Sequence, residues 1–147
     1  MSINILDCPC SGKNMANFSA PWILLTLYNH EGAHGYEIKK FIKSYMGDLR
    51  ISLNISGLYR HLKVFEQRGI VSSKWDTPDK GPAKRKYYLT DIGKECLWRW
   101  MQTLTIQMEL IARFYDKARI TFPSYPLPKI QLQGYEGLKS QGLENLP

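Results

Sequence analysis

The sequence has no long hydrophobic run. Its longest apolar segment extends from Trp22 to Leu27 and is interrupted by Thr26, whereas a membrane-spanning helix needs roughly 18 to 20 apolar residues. The first residues also lack a basic stretch ahead of an apolar one, which is the pattern of a secretory signal. We therefore expect a protein that resides in the cytoplasm.

Cysteine is scarce, with three residues in a chain of 147. Cys8 and Cys10 form a C-x-C pair, which could bind a soft metal or take part in thiol exchange. Structural zinc usually requires four ligands, and the chain has no second pair at ligand spacing. We expect no metal site and no cofactor, and a thiol- or metal-responsive regulator that uses Cys8 and Cys10 is kept as an alternative.

The sequence also lacks the patterns of catalysis. No nucleophile, general base and orienting residue occur in a recognisable arrangement, and no glycine-rich loop follows a strand in a phosphate-binding pattern. Acidic residues are in the minority: the chain has 13 Asp and Glu and 20 Lys and Arg, which gives a net charge of +7. A basic surplus is typical of proteins that bind a nucleic-acid backbone or an anionic membrane. The chain is therefore predicted to bind a partner and not to be an enzyme.

Periodicity predicts two helices early in the chain. Ser19 is a good N-cap for the first, and Pro21 stands in the first turn, where its missing N–H is harmless. The second helix follows a turn at Gly32 and Gly35 and ends at Gly47. Its apolar face consists of residues at helical spacing, namely Ile38, Phe41, Ile42 and Tyr45.

A third helix and a β-hairpin are predicted next. Asn54 or Ser56 can cap this helix, and Gly69 ends it. Its buried stripe is Leu58, Leu62 and Phe65. The segments 70–75 and 86–89 are rich in β-branched and aromatic residues, and between them lies a basic tip that contains Pro and Gly.

The last predicted helix begins after Thr90 or Asp91 and carries a long apolar stripe. The stripe consists of Leu97, Met101, Leu104, Met108, Ile111 and Tyr115. Because such a stripe requires a cover, we expect this helix to form a homodimer interface. The expected organisation is an N-terminal arm (1–18), a winged helix-turn-helix domain (19–92), a dimerisation helix (93–121) and a Pro- and Gly-containing tail (122–147).

Three helices followed by a basic hairpin are the plan of a winged helix-turn-helix, a mainly α fold with a small β-hairpin. The third helix of this fold can enter the major groove of DNA. Arg60 is the best candidate base reader, because its planar guanidinium can pair with both acceptors of a guanine edge. The predicted DNA-binding residues are Lys39, Lys40, Lys43, Ser56, Tyr59, Arg60, Lys63, Gln67, Lys80, Lys84 and Arg85.

Three spaced motifs resemble the PadR family of transcriptional regulators. They are HGYEI at 34–38, SGLYRHLKVFEQRGIV at 56–71 and GPAKRKYYLTDIG at 81–93. The resemblance implies a winged-helix homodimer held by the C-terminal helix, which represses transcription from operator DNA until a small effector or another signal releases it. Arg60 departs from the family pattern, which commonly has proline there, so base preferences of relatives do not transfer.

Two further interpretations concern ligands and partners. Trp22, Trp98 and Trp100 could line an aromatic slot for a flat apolar effector, although aromatic residues at helical spacing more often form core. The other alternative is a winged helix that binds protein instead of DNA, since a fold does not fix a function. The basic hairpin argues against that alternative.

Overall fold

A computed structural model describes residues 18–46 and 57–126 of the chain. In chain order the elements are α1 (Ser19–Asn29), β1 (Ala33–His34), α2 (Gly35–Met46), α3 (Leu58–Gln67), β2 (Val71–Asp76), β3 (Lys84–Leu89) and α4 (Asp91–Thr121). This order confirms the predicted mainly α winged helix-turn-helix. The predictions for Cys8, Cys10, Asn54 and Ser56 lie outside the described residues.

The core of the fold is formed by the predicted apolar stripes of the first three helices. Its members in α1, α2 and α3 have at most 7% of their surface exposed, and they are Ile23, Leu24, Leu27, Ile38, Ile42, Leu58, Leu62 and Phe65. Phe41 and Tyr45 differ from the prediction, because they lie at the edge of this core. The Phe41 ring stacks on His30 with centroids 3.7 Å apart, and the Tyr45 ring lies 5.7 Å from Trp22.

Among the described residues, two helix starts differ from the sequence prediction, and one of them is that of α3, whose N-cap is Gly57. Ser19 is the first residue of α1 and not its N-cap, because the helix begins one residue earlier, after Phe18. At the start of α4 the capping residue is Thr90, because its Oγ1 accepts a hydrogen bond of 3.1 Å from the Gly93 N–H. Gly69 has a φ of 73°, which confirms that it ends α3 in the left-handed region that glycine tolerates.

The sheet contains a third strand that the sequence did not reveal. Its order is β1-β3-β2, and Ala33 pairs with Tyr87 at the two-residue β1, which is too short to show a period. The pairing of β2 with β3 extends to Asp76 and Lys84, so the turn of the hairpin comprises residues 77–83. The predicted tip at 76–85 was too long, because its outermost residues at both ends join the strands.

The described residues divide into two compact units, one up to Met101 and one from Gln102, and the boundary lies within α4. In the first unit Leu97 is 8% exposed and packs in the core, with Cys96 and Trp100 beside it. The chain itself therefore covers Leu97, and the later members of the α4 stripe are the candidates for a dimer contact. Among the described residues, no helix is long and apolar enough to span a membrane.

Candidate nucleic-acid interface

The side of α3 that faces away from the core is polar and basic. Leu58, Leu62 and Phe65 are buried, and a rotation of about 100° per residue places the predicted contact residues on other sides of the helix. The predicted residues of α3 that the structure describes are all exposed, namely Tyr59, Arg60, Lys63 and Gln67. Ser56 lies outside the described residues. The helix thus offers a free basic surface of the kind that can reach base edges.

The N-terminal end of α2 lies against this helix. A Cβ atom added at Gly35 would lie 2.4 Å from the Tyr59 ring, so the absence of a side chain there lets the two helices approach closely. Along α2, Lys40 and Lys43 are exposed and Lys39 is half-buried. These three lysines remain candidates for contacts to a phosphate backbone.

The basic residues of the hairpin have different surroundings. Lys80 is exposed in the turn, and the Lys84 ammonium lies 4.9 Å from the centroid of the Tyr36 ring in α2. Arg85 has partners within the chain, because its guanidinium lies 5.2 Å from the Trp75 ring and its Nη1 lies 3.7 Å from Glu66 Oε2. All three were predicted to bind DNA, whereas in the structure only Arg85 contacts both an acidic and an aromatic side chain.

A cluster of ionisable side chains joins the hairpin to α2. His34 Nδ1 lies 2.5 Å from Glu37 Oε1, and His34 Nε2 lies 3.4 Å from Asp76 Oδ2. Lys86 Nζ lies 3.6 Å from the same Asp76 oxygen. Sequence reasoning missed this cluster because His34 belongs to the unpredicted strand β1. The cluster links α2, β2 and β3, so the outer face of the hairpin is attached to the helix beside it.

The same face of the hairpin carries two basic residues, Lys74 and Lys86, that were not predicted to bind DNA. Lys74 and Lys86 are paired across β2 and β3 and therefore lie on one face. The Lys74 ammonium lies 5.6 Å from the centroid of the Tyr88 ring. Strict alternation along the strands could have identified both lysines, since it places them two residues from Asp76 and Lys84 respectively.

Glu37 is stabilised in its charged form. Its pKa lies below the ordinary value of 4.5, chiefly because the backbone N–H of His34 donates to Glu37 Oε1 at 3.0 Å, while partial burial acts in the opposite direction. A lowered pKa in the folded state stabilises the protein at pH values above about 4.5, and this contribution is lost as the pH falls through the lowered pKa.

We expect Glu37→Gln to lower the free energy of unfolding near neutral pH by about 1 kcal/mol, a small value because the carboxylate is partly exposed. The difference from the wild type should shrink as the pH falls towards about 3. Urea denaturation across this pH range tests the expectation, with Glu31→Gln as the exposed control. A difference between wild type and Glu37→Gln that grows on acidification would contradict it.

The three tryptophans of the predicted effector slot have different surroundings. Trp98 is 59% exposed, whereas Trp22 and Trp100 are partly buried against the core. Trp98 and Trp100 are two residues apart on α4, which places them on nearly opposite sides of the helix. The Trp22 ring is stacked on the ring of Tyr45 in α2.

The later part of α4 has a second apolar face that sequence reasoning missed. Ile106, Leu110 and Phe114 are spaced by four residues, and their exposed fractions are 65%, 61% and 70%. On a helical wheel they lie opposite Leu104 and Met108, which are half-buried. Their four-residue spacing is a helical signal that is present in the sequence.

Over the described ranges 18–46 and 57–126, no group of three His, Cys, Asp or Glu side chains is placed to hold a metal ion. Cys96 is a free thiol and is half-buried. The hypothesis of a thiol- or metal-responsive pair concerns Cys8 and Cys10, which lie outside these ranges.

Solved structures with the same fold include several transcriptional regulators. A putative transcriptional regulator from Thermoplasma acidophilum is 30% identical, with 66% of this chain and 89% of that chain covered and a TM-score of 0.53. A transcriptional regulator from Clostridium thermocellum is 22% identical over 66% of this chain and 92% of that chain, with a TM-score of 0.58. A PadR family transcription regulator from Clostridium difficile R20291 is 23% identical over 65% and 95% of the two chains, with a TM-score of 0.54.

No curated protein sequence matches the chain. The sequence model of the transcriptional regulator PadR-like family, however, matches residues 23–99. This range contains all three motifs described above, and it extends from within α1, through the hairpin, to the start of α4. The chain therefore belongs to the PadR-like family of transcriptional regulators, whose members are not enzymes.

Proposed function

We propose that the protein is a sequence-specific repressor that acts in the cytoplasm and binds a roughly palindromic operator as a homodimer. The observation that carries this proposal is the exposed basic face of α3, which lies opposite the buried stripe in a unit that also carries a basic hairpin. The α3 face suits the major groove, and the hairpin suits phosphates or an adjacent minor groove. Release by a small effector or another signal is part of the same proposal.

The proposed contacts divide into base readers and backbone contacts. Arg60 and Gln67 have the geometry to read base edges, and Lys63 suits a phosphate or a single acceptor. Helical spacing in the sequence assigns Ser56 to the same face, and Tyr59 flanks it. Backbone contacts come from lysines of α2 and of the hairpin, namely Lys39, Lys40, Lys43, Lys80 and Lys84.

The proposed dimer uses the stripe of α4 beyond Leu97. Met101 and Ile111 are each 53% exposed, and Leu104, Met108 and Tyr115 are half-buried. Burial of each large apolar side chain is worth roughly 1.5 to 3 kcal/mol, which favours a second copy as the cover. A twofold axis would present two recognition helices about 34 to 36 Å apart on one face of the duplex, which explains the proposed palindrome.

Arg60→Ala and Lys84→Ala should have different effects on DNA binding. Loss of Arg60 should cost about 1 to 3 kcal/mol and relax base discrimination at one position in each half-site, because a paired base edge is lost. Loss of Lys84 should weaken binding to all sequences alike, because a phosphate contact carries no sequence information. Competition titrations with single-base operator variants measure both effects.

Asp79→Ala is a control for these variants, since Asp79 is an exposed residue of the hairpin turn and carries no positive charge. It should leave the ranking of operator variants unchanged. If Arg60→Ala also leaves the ranking unchanged, the assignment of α3 as the recognition helix is wrong.

A further inference from the structure

Glu66 connects the last turn of α3 to both long strands of the sheet. Its Oε1 accepts a hydrogen bond of 2.5 Å from the Ser73 hydroxyl in β2. Its Oε2 lies 3.7 Å from Nη1 of Arg85 in β3. The Glu66 side chain is 34% exposed, so the carboxylate lies at the edge of the core and not free in solvent. One carboxylate of the helix that carries the proposed base readers thus contacts both strands of the hairpin beside it.

Arg85 is held on a second side by the hairpin itself. It is paired with Trp75 across β2 and β3, and its guanidinium lies 5.2 Å from the Trp75 ring. Trp75 is 64% exposed, so the core does not explain its position. Alternation places Ser73, Trp75 and Arg85 on one face of the sheet, the face towards Glu66. The guanidinium therefore has an anionic partner and an aromatic partner within the chain.

The opposite face of the hairpin is attached to α2. There the Lys84 ammonium lies over the Tyr36 ring, and Asp76 lies beside Lys86 and His34. With Glu66 removed, these contacts and the strand pairing would remain, so the hairpin would stay folded. The polar link between α3 and the outer half of the hairpin would be lost, while Val71 and Leu89 would stay packed in the core.

We propose that Glu66 is a positioning residue that fixes the hairpin relative to α3, and that Arg85 is its partner in this role instead of a DNA contact. This inference rests on the proposed function, in which α3 and the hairpin bind one duplex together. A hairpin that is free to tilt must be ordered when DNA binds, and that ordering lowers the affinity. Because a partly exposed ion pair contributes little to folding stability, the effect should appear mainly in DNA binding.

The test exchanges the two charges. The probe is the duplex that the wild-type full chain enriches from random-sequence DNA. Glu66→Arg and Arg85→Glu should each lower affinity about tenfold and remove backbone protection at the positions that the hairpin covers, while protection by α3 remains. The double variant, which restores the pair in reversed order, should recover both affinity and protection. Hydroxyl-radical footprints and titrations give these results.

Two further variants make the comparison specific. Glu66→Arg combined with Arg68→Glu has the same net charge as the exchange, but Arg68 is an exposed residue beyond the end of α3, so this pair should not recover binding. Glu66→Gln keeps an acceptor for Ser73 and removes only the charge. It should fold as the wild type does and show a smaller loss of the same protection.

Three outcomes would overturn the inference. If Arg85→Glu stays defective in the exchanged pair, Arg85 contacts DNA directly. If Glu66→Gln leaves hairpin protection and affinity at wild-type values, the charge of Glu66 does not position the hairpin. If the wild type enriches no sequence at all, the proposed function fails and the inference fails with it, which distinguishes that failure from the first two.

Discussion

Simultaneous replacement of Leu104 and Met108 by glutamate should convert the protein to monomers and lower its affinity for a full operator by about a thousandfold or more, towards the nonspecific range. The reason is that two carboxylates in a buried apolar interface would lose their hydration without gaining partners. Both residues lie beyond Met101 in α4, outside the winged-helix unit, so that unit should remain folded.

Sedimentation equilibrium and titration on full and half operators measure this effect. Ile106→Glu with Leu110→Glu is the matched control, because it places the same two charges on the opposite, more exposed face of the same helix. This control should remain dimeric. A wild type that sediments as a monomer at micromolar concentration, or a Leu104 and Met108 variant that keeps full operator affinity, would show that the dimer is not built on this stripe.

Gly93→Ala should cause a large loss of stability. A Cβ atom at residue 93 would lie 2.2 Å from the carbonyl oxygen of Ile70 and 2.6 Å from Leu89 Cδ1. That carbonyl cannot move easily, because it accepts hydrogen bonds from the backbone N–H and the hydroxyl of Thr90. We expect a loss of about 3 kcal/mol in the free energy of unfolding, the upper range for overpacking in a core.

Urea denaturation measures this loss, and Gly81→Ala is the control. Gly81 has a φ of 106° but no atom within 4 Å of an added Cβ, so this substitution carries backbone strain without a clash. It should cost about 1 kcal/mol. Equal losses for the two variants would show that contact with Ile70 and Leu89 does not determine the requirement for glycine at position 93.

Much of the fold follows from local signals in the sequence. The buried residues Ile38, Ile42, Leu58 and Leu62 occur at helical spacing, and Gly69 marks the end of a helix in the way that glycine usually does. Strand β1 escaped prediction because two residues show no period, and its place depends on pairing with a strand distant in sequence. The N-cap of α1 is Phe18, one residue before the predicted Ser19, and assignments of helix ends commonly differ by one residue.

The sequence predicts which residues of the candidate interface are exposed and basic, but not which of them contact other side chains of the chain. The exposed face of α3 follows from the positions of its buried stripe, and the structure places Arg60 and Lys63 as exposed. The separation of Arg85 from Lys84 was not predicted, because the predicted strand began at Lys86 and left both residues in the tip. What separates them is alternation across the sheet together with a carboxylate on another element, Glu66.

Selection of bound fragments from random-sequence DNA with the purified full chain tests the central claim most directly. The account predicts enrichment of an inverted repeat whose half-sites lie about 10 base pairs apart, with affinity that falls steeply as salt increases because several Lys and Arg displace counterions. Failure to enrich any sequence, or binding that does not respond to salt, would contradict it.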